Sequence, residues 1–474
     1  MNERSEKFLQ ENSEQSKNPL PKNDRKEIFG WLMYDWANSA FYTTVISVLL
    51  GPYLTALAQA DVGEQGVIFD LGFLGSITAE SLVPTALAIS VGAQVFLLPI
   101  LGSIADYTHL KKPMMAFFCY LGVTASSLLF FVSEGHDYIW GCVLMMIANI
   151  SFAAANVFYN AFLVDITTED NRDKISSYGF ASGYIGGIIM LIVNFATISY
   201  AETLGITKSL AVRISMLLAS LWWGVFALIT FYLIKPRKPA KNAPKNKPLL
   251  IIGFSELWKT CKELKGLKWT MMFLIAYLFY NDGIQTVILN SSVFLSQELF
   301  DEEGRKTNQS FLLAIFFVAQ VAALVGSLLF ERVSRKIGAK RTILVCLSIW
   351  CGVVIFAYGF LTNTFQAWIM SVAIGLVLGS TQALSRSVYS QMIPLGKESS
   401  FFGLYEISEK GTSWLGQLIF AVVVASTGSY RQAILALIFF FVVGGIILIF
   451  TDVSKGIKEA NQISISEEAL LEHA

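Results

Sequence analysis

Six ionisable side chains of this 474-residue chain lie inside long apolar stretches, where charged groups are rare. A charge in hydrocarbon is costly, so such a residue normally faces a protein interior or a water-filled cavity. These side chains are therefore candidates for binding a charged solute, for carrying a proton or for pairing across a gate. They are Asp35, Asp282, Arg386, Glu406, Glu409 and Lys410.

Two carboxylates of this set differ in predicted depth. Asp282 lies about thirteen residues into its stretch, roughly 20 Å deep, whereas Asp35 lies about seven residues or roughly 10 Å in. Because burial favours the neutral form of a carboxyl group, Asp282 is the stronger candidate for binding a proton or a substrate amine. The alternative for Asp282 is a hydrogen-bonded packing role. Asn38 shares a helical face with Asp35, so it either binds substrate or holds that carboxylate, and the role of Asp35 stays open.

Amide side chains follow one face of the fourth stretch. Asn149, Asn156 and Asn160 fall at i, i+7 and i+11, which places them on one side of a helix. Three amides in a row suit the wall of a cavity that binds a polar substrate. Amides also join membrane helices by hydrogen bonds, so the two interpretations remain equally good.

A cluster of charges is predicted where the tenth stretch ends and the eleventh begins. Gln382 and Arg386 share a face one turn apart, and Glu406, Glu409 and Lys410 lie at the same side of the membrane. A guanidinium in the membrane requires an anion, either a carboxylate of another helix or the substrate itself. We expect a gating salt-bridge cluster, with substrate binding by Arg386 and a static structural bridge as the alternatives.

Twelve apolar runs must position these residues, because a spanning helix needs roughly 20 mostly apolar residues. The chain is 54% hydrophobic and 15% charged, with a mean hydropathy of +0.57, which excludes an ordinary soluble domain. The third, sixth, ninth and twelfth runs carry no charge in their interiors. The predicted spans are 28–58, 81–105, 114–133, 138–165, 177–200, 213–234, 269–297, 309–330, 342–362, 366–390, 401–426 and 432–451.

The charges outside the spans predict the orientation of the chain. Of the 35 Lys and Arg residues, 28 fall on the side of the N-terminus and five on the opposite side. An excess of this kind marks the cytoplasmic side of a membrane protein. We therefore expect a multi-pass protein of the cell (inner) membrane, with both termini and the central loop in the cytoplasm.

The central loop divides the chain into two sets of six spans. Alternating Lys and Pro residues at 235–248 exclude a helix or a strand there. The amphipathic segment that follows either lies on the membrane surface or caps the helical bundle. The predicted domains are a disordered tail at 1–27, six-helix bundles at 28–234 and 269–452, a linker at 235–268 and a tail at 453–474.

The two halves carry similar short loops after their second helix. Two six-helix halves joined by a basic loop resemble the major facilitator superfamily, whose loop signature is Gly, three residues, Asp, two residues, Gly and then basic residues. The first loop matches at Gly102, Asp106, Lys111 and Lys112, with His109 in place of the second Gly. The second loop keeps Gly338 but has Arg335 at the acidic position.

Several narrower motifs, in order along residues 28–452, resemble the autophagy-linked vacuolar amino-acid effluxer family and its bacterial relatives. They are Tyr34-Asp35-Trp36-Ala37-Asn38-Ser39-Ala40-Phe41, Tyr159-Asn160-Ala161-Phe162-Leu163, Asp282-Gly283, Gln382-Ala383-Leu384-Ser385-Arg386-Ser387, Phe401-Phe402-Gly403-Leu404-Tyr405-Glu406 with Ser413-Trp414-Leu415-Gly416, and Thr427-Gly428-Ser429. The resemblance implies an all-α membrane fold of twelve helices in two pseudo-symmetric bundles. It also implies a cavity lined by the first, fourth, seventh and tenth helices, and a conformational latch at Asp106, Lys111 and Lys112.

The resemblance implies transport of small neutral amino acids by alternating access, in the efflux direction, with proton coupling resting on the membrane carboxylates. An exporter of drug-like or sugar-like solutes and a non-transporting signalling or scaffold protein are the alternatives. We expect no enzyme activity, no cofactor and no metal site, because the sequence has no ATP-binding GxxxxGK[ST] loop and no zinc-binding HExxH pair. The expected partners are the solute, protons and membrane lipids but not nucleic acid, with the chain as a monomer.

Overall fold

The computed structural model describes residues 21–63, 66–70, 76–237, 249–300, 309–410 and 413–472. The predicted disordered tail at 1–27 falls mostly outside these ranges, as does most of the Lys-Pro segment. The described part is almost entirely helical. Its two short strands, β1 (Val67–Asp70) and β2 (Ser76–Thr78), pair antiparallel between the first two helices.

Six helices form the N-terminal half. The first contains a π-helical segment at Tyr42–Leu49, a feature that often occurs near functional sites. The helices are α1 (Arg25–Val62), α2 (Leu82–Asp106), α3 (Lys111–Phe131), α4 (Asp137–Ile166), α5 (Glu169–Ser199) and α6 (Lys208–Leu233).

The C-terminal half repeats this arrangement. The helices are α7 (Lys268–Phe300), α8 (Gln309–Ile337), α9 (Ala339–Gly359), α10 (Thr364–Gln391), α11 (described as Glu398–Lys410 and Ser413–Thr427) and α12 (Tyr430–Ala436 and Ile438–Phe450). Among the described residues, eleven helices are long and apolar enough to cross a membrane, and the second segment of α11 is a shorter apolar helix. The predicted twelve-helix fold in two bundles is confirmed.

Several helices extend beyond the apolar runs that predicted them. Helix α5 begins at Glu169, where the sequence predicted residue 177, and α8 continues to Ile337, beyond the predicted 330. The added turns carry charged residues such as Arg172, which is nevertheless buried. A search for apolar runs stops at charges, so it misses helix ends whose charges are buried by the other half.

Two further helices cover one end of the bundle. The linker helix (Leu249–Gly266) packs Gly253 against Ile100 and Ile104 of α2, and its Glu263 pairs with Lys397. This packing favours a cap on the bundle over a helix held by lipid alone. The C-terminal helix (Val453–Glu472) lies nearby. We call this end, where α1 begins, the terminal face.

The segment predicted as a cytoplasmic tail at 453–474 contains the C-terminal helix, which packs on the bundle. Its Gly456 lies against Met392 and Trp269, and Ser464 accepts a hydrogen bond from the backbone N–H of Leu395. Ala460, on the same face, is fully buried. The apolar and hydrogen-bonded contacts explain why this polar segment folds onto the loop between α10 and α11.

Candidate functional site

An ion pair joins the two halves inside the membrane domain. The Arg386 guanidinium on α10 lies 3.4 Å from Asp35 Oδ2 on α1. Asp35 Oδ2 also accepts a hydrogen bond of 2.6 Å from the Tyr159 hydroxyl on α4. Asp35 lies ten residues after Arg25, about 15 Å along α1 from its start, so it is deeper than predicted.

The Arg386 side chain is enclosed by partners of the N-terminal half. Its Nε donates to Ser176 Oγ at 2.9 Å, and one terminal nitrogen donates to the Ser176 carbonyl at the same distance. The rings of Trp31 and Phe180 lie 4.9 and 4.4 Å from the guanidinium carbon, close enough for cation–π attraction. A substrate carboxylate would have to displace Asp35 to reach this guanidinium.

The predicted cluster around Arg386 is therefore arranged differently. Among the described residues, Arg386 pairs with Asp35 and not with Glu406. Asn160 connects the two, because its Oδ1 accepts from Arg386 at 3.2 Å and its Nδ2 donates to Glu406 Oε1 at 2.9 Å. Glu409 accepts from the Asn281 amide through its backbone carbonyl. The side chain of Lys410 lies outside the described residues.

Asp106 lies at the predicted latch and caps α11 of the opposite half. Its carboxylate accepts from the backbone N–H groups of Ser399 and Ser400 at 2.9 and 2.7 Å, and from the Ser400 hydroxyl at 2.6 Å. A carboxylate at a helix N-terminus satisfies free N–H groups and interacts favourably with the helix dipole. The helices meet closely, since a Cβ on Gly102 would lie 2.2 Å from the Ser399 carbonyl oxygen.

The two lysines of the predicted latch differ in their contacts. Lys111 lies 3.1 Å from Asp165 and 3.8 Å from Glu398, so it joins the halves beside Asp106. Lys112 instead donates to the carbonyl of Ile234 within its own half. Lys22, before α1, also lies near the acidic groups, and burial lowers the pKa of its ammonium group.

A second connection between the halves involves residues that the sequence analysis missed. Asp173 at the start of α5 accepts hydrogen bonds from Ser334 at 2.8 Å and Ser387 at 2.5 Å. Arg172 donates to the Ser390 carbonyl at 2.8 Å. Both residues lay in a predicted loop. The duplication of the halves could have pointed to these residues, because α5 and α11 hold corresponding positions. The start of α5 contacts the end of α8, and the start of α11 contacts the end of α2.

Asp282 occupies a different environment within the C-terminal half. It is fully buried on α7, and its Oδ2 accepts a hydrogen bond of 3.1 Å from the backbone N–H of Gly416 on α11. It lies fourteen residues after Lys268, about 21 Å along α7, close to the predicted depth. Asp282 is therefore separate from the Asp35–Arg386 pair, and the two carboxylates do not form one site.

Amide groups of the N-terminal half form the remaining polar region. Asn38 donates to Asn156 at 3.0 Å, and Asn149 donates to Ser90 at 2.8 Å. Gln94, one turn after Ser90 on α2, is 3% exposed and its amide has no described hydrogen-bond partner. Gln382, also a predicted site residue, is partly buried one turn before Arg386. In the described ranges, no three His, Cys, Asp or Glu side chains group closely enough for a metal ion.

Comparison with known proteins identifies the family. The sequence profile described as "Vacuole effluxer Atg22 like" matches residues 23–461. The MFS-type transporter YxiO of Bacillus subtilis (strain 168) is 34% identical, over 92% of this chain and 98% of that protein. Autophagy-related protein 22 of Pichia angusta is 24% identical, over 93% of this chain and 94% of that protein.

The chain belongs to the Atg22-like effluxer family. Solved structures agree on the fold of this Atg22-like protein. The Escherichia coli fucose:proton symporter FucP has a TM-score of 0.66 at 13% identity, covering 90% of this chain and 98% of that one. An outward-facing bacterial homologue of the iron transporter ferroportin has a TM-score of 0.59 with the same identity and coverage. The Atg22-like protein is thus a multi-pass transporter of the major facilitator superfamily and not an enzyme.

The described inter-half hydrogen bonds of the Atg22-like transporter all lie toward the terminal face. They involve the ends of α2, α4, α8 and α10 and the starts of α5 and α11, together with Asp35. On the opposite side, the segment Leu50–Val62 packs on helices of its own half, and Ser413–Thr427 packs on α7 and α12. The halves are therefore joined by polar contacts at the terminal face.

Proposed function

We propose that this transporter exports small neutral amino acids by alternating access and that Asp35 and Arg386 form its inner gate. The observation that carries the proposal is the buried ion pair between α1 and α10. It lies toward the same face of the molecule as every described hydrogen bond between the halves. The excess of Lys and Arg on this side supports a cytoplasmic location for the terminal face. The described arrangement is then the state that is closed to the cytoplasm.

The gate explains how closure can be reversed. Arg386 has protein partners for its guanidinium in the closed state, so opening must replace Asp35 and Asn160 with water or substrate. A substrate carboxylate that competes for Arg386, or a proton that neutralises Asp35, would weaken the pair. Substrate competition for Arg386 and protonation of Asp35 would then each favour the state open to the cytoplasm, in which an exporter loads its substrate. Release on the other side requires the Asp35–Arg386 pair to form again.

The chemistry of the polar region supports a small zwitterion as the substrate. Asn38, Asn156 and Gln94 supply neutral amide donors and acceptors, which suit ammonium and carboxylate groups without a fixed charge preference. The family description as a vacuole effluxer supports the export direction. A drug-like or sugar-like solute is the alternative substrate class. The family relationship to transporters disfavours a non-transporting scaffold.

The experiment is flux through the purified full-length protein in liposomes. A panel of labelled neutral, acidic and basic amino acids, a sugar and a lipophilic cation is loaded with and without a pH gradient. We expect flux of neutral amino acids, acceleration by the gradient and loss of acceleration in Asp35→Asn. Flux of the sugar or the cation instead of any amino acid would refute the substrate class, and gradient-independent flux would refute proton coupling.

The membrane context of the proposal can be tested in the same cells that produce the protein. We infer an inner-membrane monomer with both termini in the cytoplasm, in contact with lipid through the exposed apolar faces of the outer helices. Cysteine labelling of the terminal face from the cytoplasmic side alone would support the orientation. Labelling from outside the cell would overturn it.

A further inference from the structure

Gln94 carries a buried amide that makes no hydrogen bond. The side chain lies inside α2 and is 3% exposed, and neither its Nε2 nor its Oε1 has a described partner. Buried polar groups are normally paired, because burial removes the water that would otherwise bind them. The unpaired amide therefore raises the free energy of the closed state. The other amides of the polar region all make hydrogen bonds, namely Asn38, Asn149, Asn156 and Asn160.

Gln94 lies where α2 meets α4 of its own half and α11 of the other half. Residues four apart on a helix share nearly the same face, so Ser90, Gln94 and Leu98 follow one side of α2. Ser90 accepts a hydrogen bond from Asn149 on α4, whereas the Leu98 carbonyl oxygen lies 2.9 Å from a Cβ built on Gly403 of α11. When the terminal face opens, α4 stays with α2 but α11 moves away, and this side of α2 is uncovered.

Opening of the terminal face affects Gln94 and the contacts between the halves in opposite directions. The Asp106 carboxylate loses its hydrogen bonds to the start of α11, and Arg386 loses Asp35. The Gln94 amide instead becomes accessible to water or solute, from which it gains hydrogen bonds. The closed state is therefore stabilised by the ion pair and the cap and destabilised by one unpaired amide.

We propose that Gln94 biases the transporter toward the state open to the cytoplasm, because its amide is unpaired only in the closed state. An exporter must open on this side to load its substrate, and the gate and latch alone would favour the closed state strongly. A residue that raises the free energy of the closed state keeps the populations of the two states closer together. The inference rests on alternating access as proposed above, but not on the identity of the substrate.

A cysteine in place of Ser103 reports opening without any substrate. The Ser103 hydroxyl is fully buried and lies 3.3 Å from the Ser400 hydroxyl of the other half, so separation of α2 and α11 exposes it. Ser103→Cys is introduced into a full-length chain without the five native cysteines. When opening and closing are fast relative to the chemistry, the rate of labelling by a small thiol reagent follows the population of the open state.

Gln94→Met keeps the length of the side chain and removes the amide. We expect labelling of the reporter cysteine to slow on the order of tenfold. A tenfold change corresponds to about 1.4 kcal/mol, which lies within the range for an unpaired buried polar group. We also expect a higher melting temperature, because the folded protein no longer contains this unpaired group.

Thr230→Val is the matched control. Thr230 Oγ1 is fully buried on α6 and has no described hydrogen-bond partner, and α6 packs on α1, α3 and α5 of its own half. The substitution therefore removes an unpaired group that stays buried in both states. We expect a higher melting temperature, as for Gln94→Met, but labelling at the wild-type rate.

Each outcome decides the inference. A wild-type or faster labelling rate in Gln94→Met overturns it, and so does equal slowing in Thr230→Val, which would show that labelling follows global unfolding. If Gln94→Met does not fold, Gln94→Leu is held to the same criteria.

Failure of the proposed function gives a different result. Slower labelling in Gln94→Met without faster labelling in Asp35→Asn would refute the gate and leave the inference intact. Faster labelling in Asp35→Asn with no change in Gln94→Met would refute the inference and support the gate. The absence of amino-acid flux in liposomes would refute the substrate class and would not change the labelling rates.

Discussion

Removing the charge of Asp35 should shift the transporter away from the state closed at the terminal face. At 3.4 Å and an effective dielectric constant of 20, its attraction to Arg386 is about 5 kcal/mol before desolvation is counted. Asparagine keeps an oxygen that can accept from Tyr159 and Arg386, so we expect a net loss of about 2 kcal/mol, typical of a hydrogen bond to a charged group. This loss lowers the closed-to-open ratio about 30-fold.

Electron–electron distance measurement between spin labels can detect this shift. Leu110 and Leu395 are exposed on the terminal face, one in each half, and can carry labels on cysteines in a chain without the five native cysteines. The wild type should show mainly the short distance of the closed state. Asp35→Asn should add a longer distance, because the halves separate where the ion pair was lost.

A matched substitution separates gating from a general loss of charge. Glu298→Gln removes the partner of Arg431, but both residues lie in the C-terminal half, so the distance between the labels should not change. Exchanging Asp35 and Arg386 for each other should restore part of the short distance. A wild-type distribution in folded Asp35→Asn would refute the gate, and so would a double exchange no better than either single change.

Three further substitutions test the other contacts at the terminal face with the same labels. Asp106→Asn should raise the open population by roughly fivefold, since it weakens the cap on α11 by about 1 kcal/mol; an unchanged distribution would contradict the latch. Gly102→Ala should disfavour closure more strongly than Gly92→Ala, because its Cβ would overlap the Ser399 carbonyl whereas nothing lies near Gly92; equal effects would contradict the close approach. Glu263→Gln should loosen the linker helix from Lys397 and increase proteolysis of the linker, and unchanged cleavage would argue against the cap.

The sequence predicted the membrane fold because charge is so costly in hydrocarbon that it marks helix ends directly. It also selected Asp35, Asp282 and Arg386 as functional candidates for the same reason. It did not predict that Asp35 and Arg386 pair, since they are separated by 351 residues and only the packing of the halves brings them together.

The residues that sequence analysis missed lie at helix ends. Asp173 and Arg172 follow a short polar segment, so the sequence predicts a solvent-exposed loop there. In the structure the two residues contact the other half. Gln94 was missed because one amide in an apolar run carries no periodic signal. Hydropathy locates a helix relative to lipid, but the partner of a buried polar group depends on how two helices pack.

The two membrane carboxylates differ in how the rocking of the halves would affect them. Asp35 and Arg386 belong to different halves, so their pair must break whenever the terminal face opens. Asp282 and Gly416 belong to the same half, so their contact can persist through the cycle. A gate needs an interaction that forms in one state and breaks in the other. Asp35 therefore meets the requirement for the gate and Asp282 does not, so Asp35→Asn should change the distance between the halves and Asp282→Asn should leave that distance unchanged.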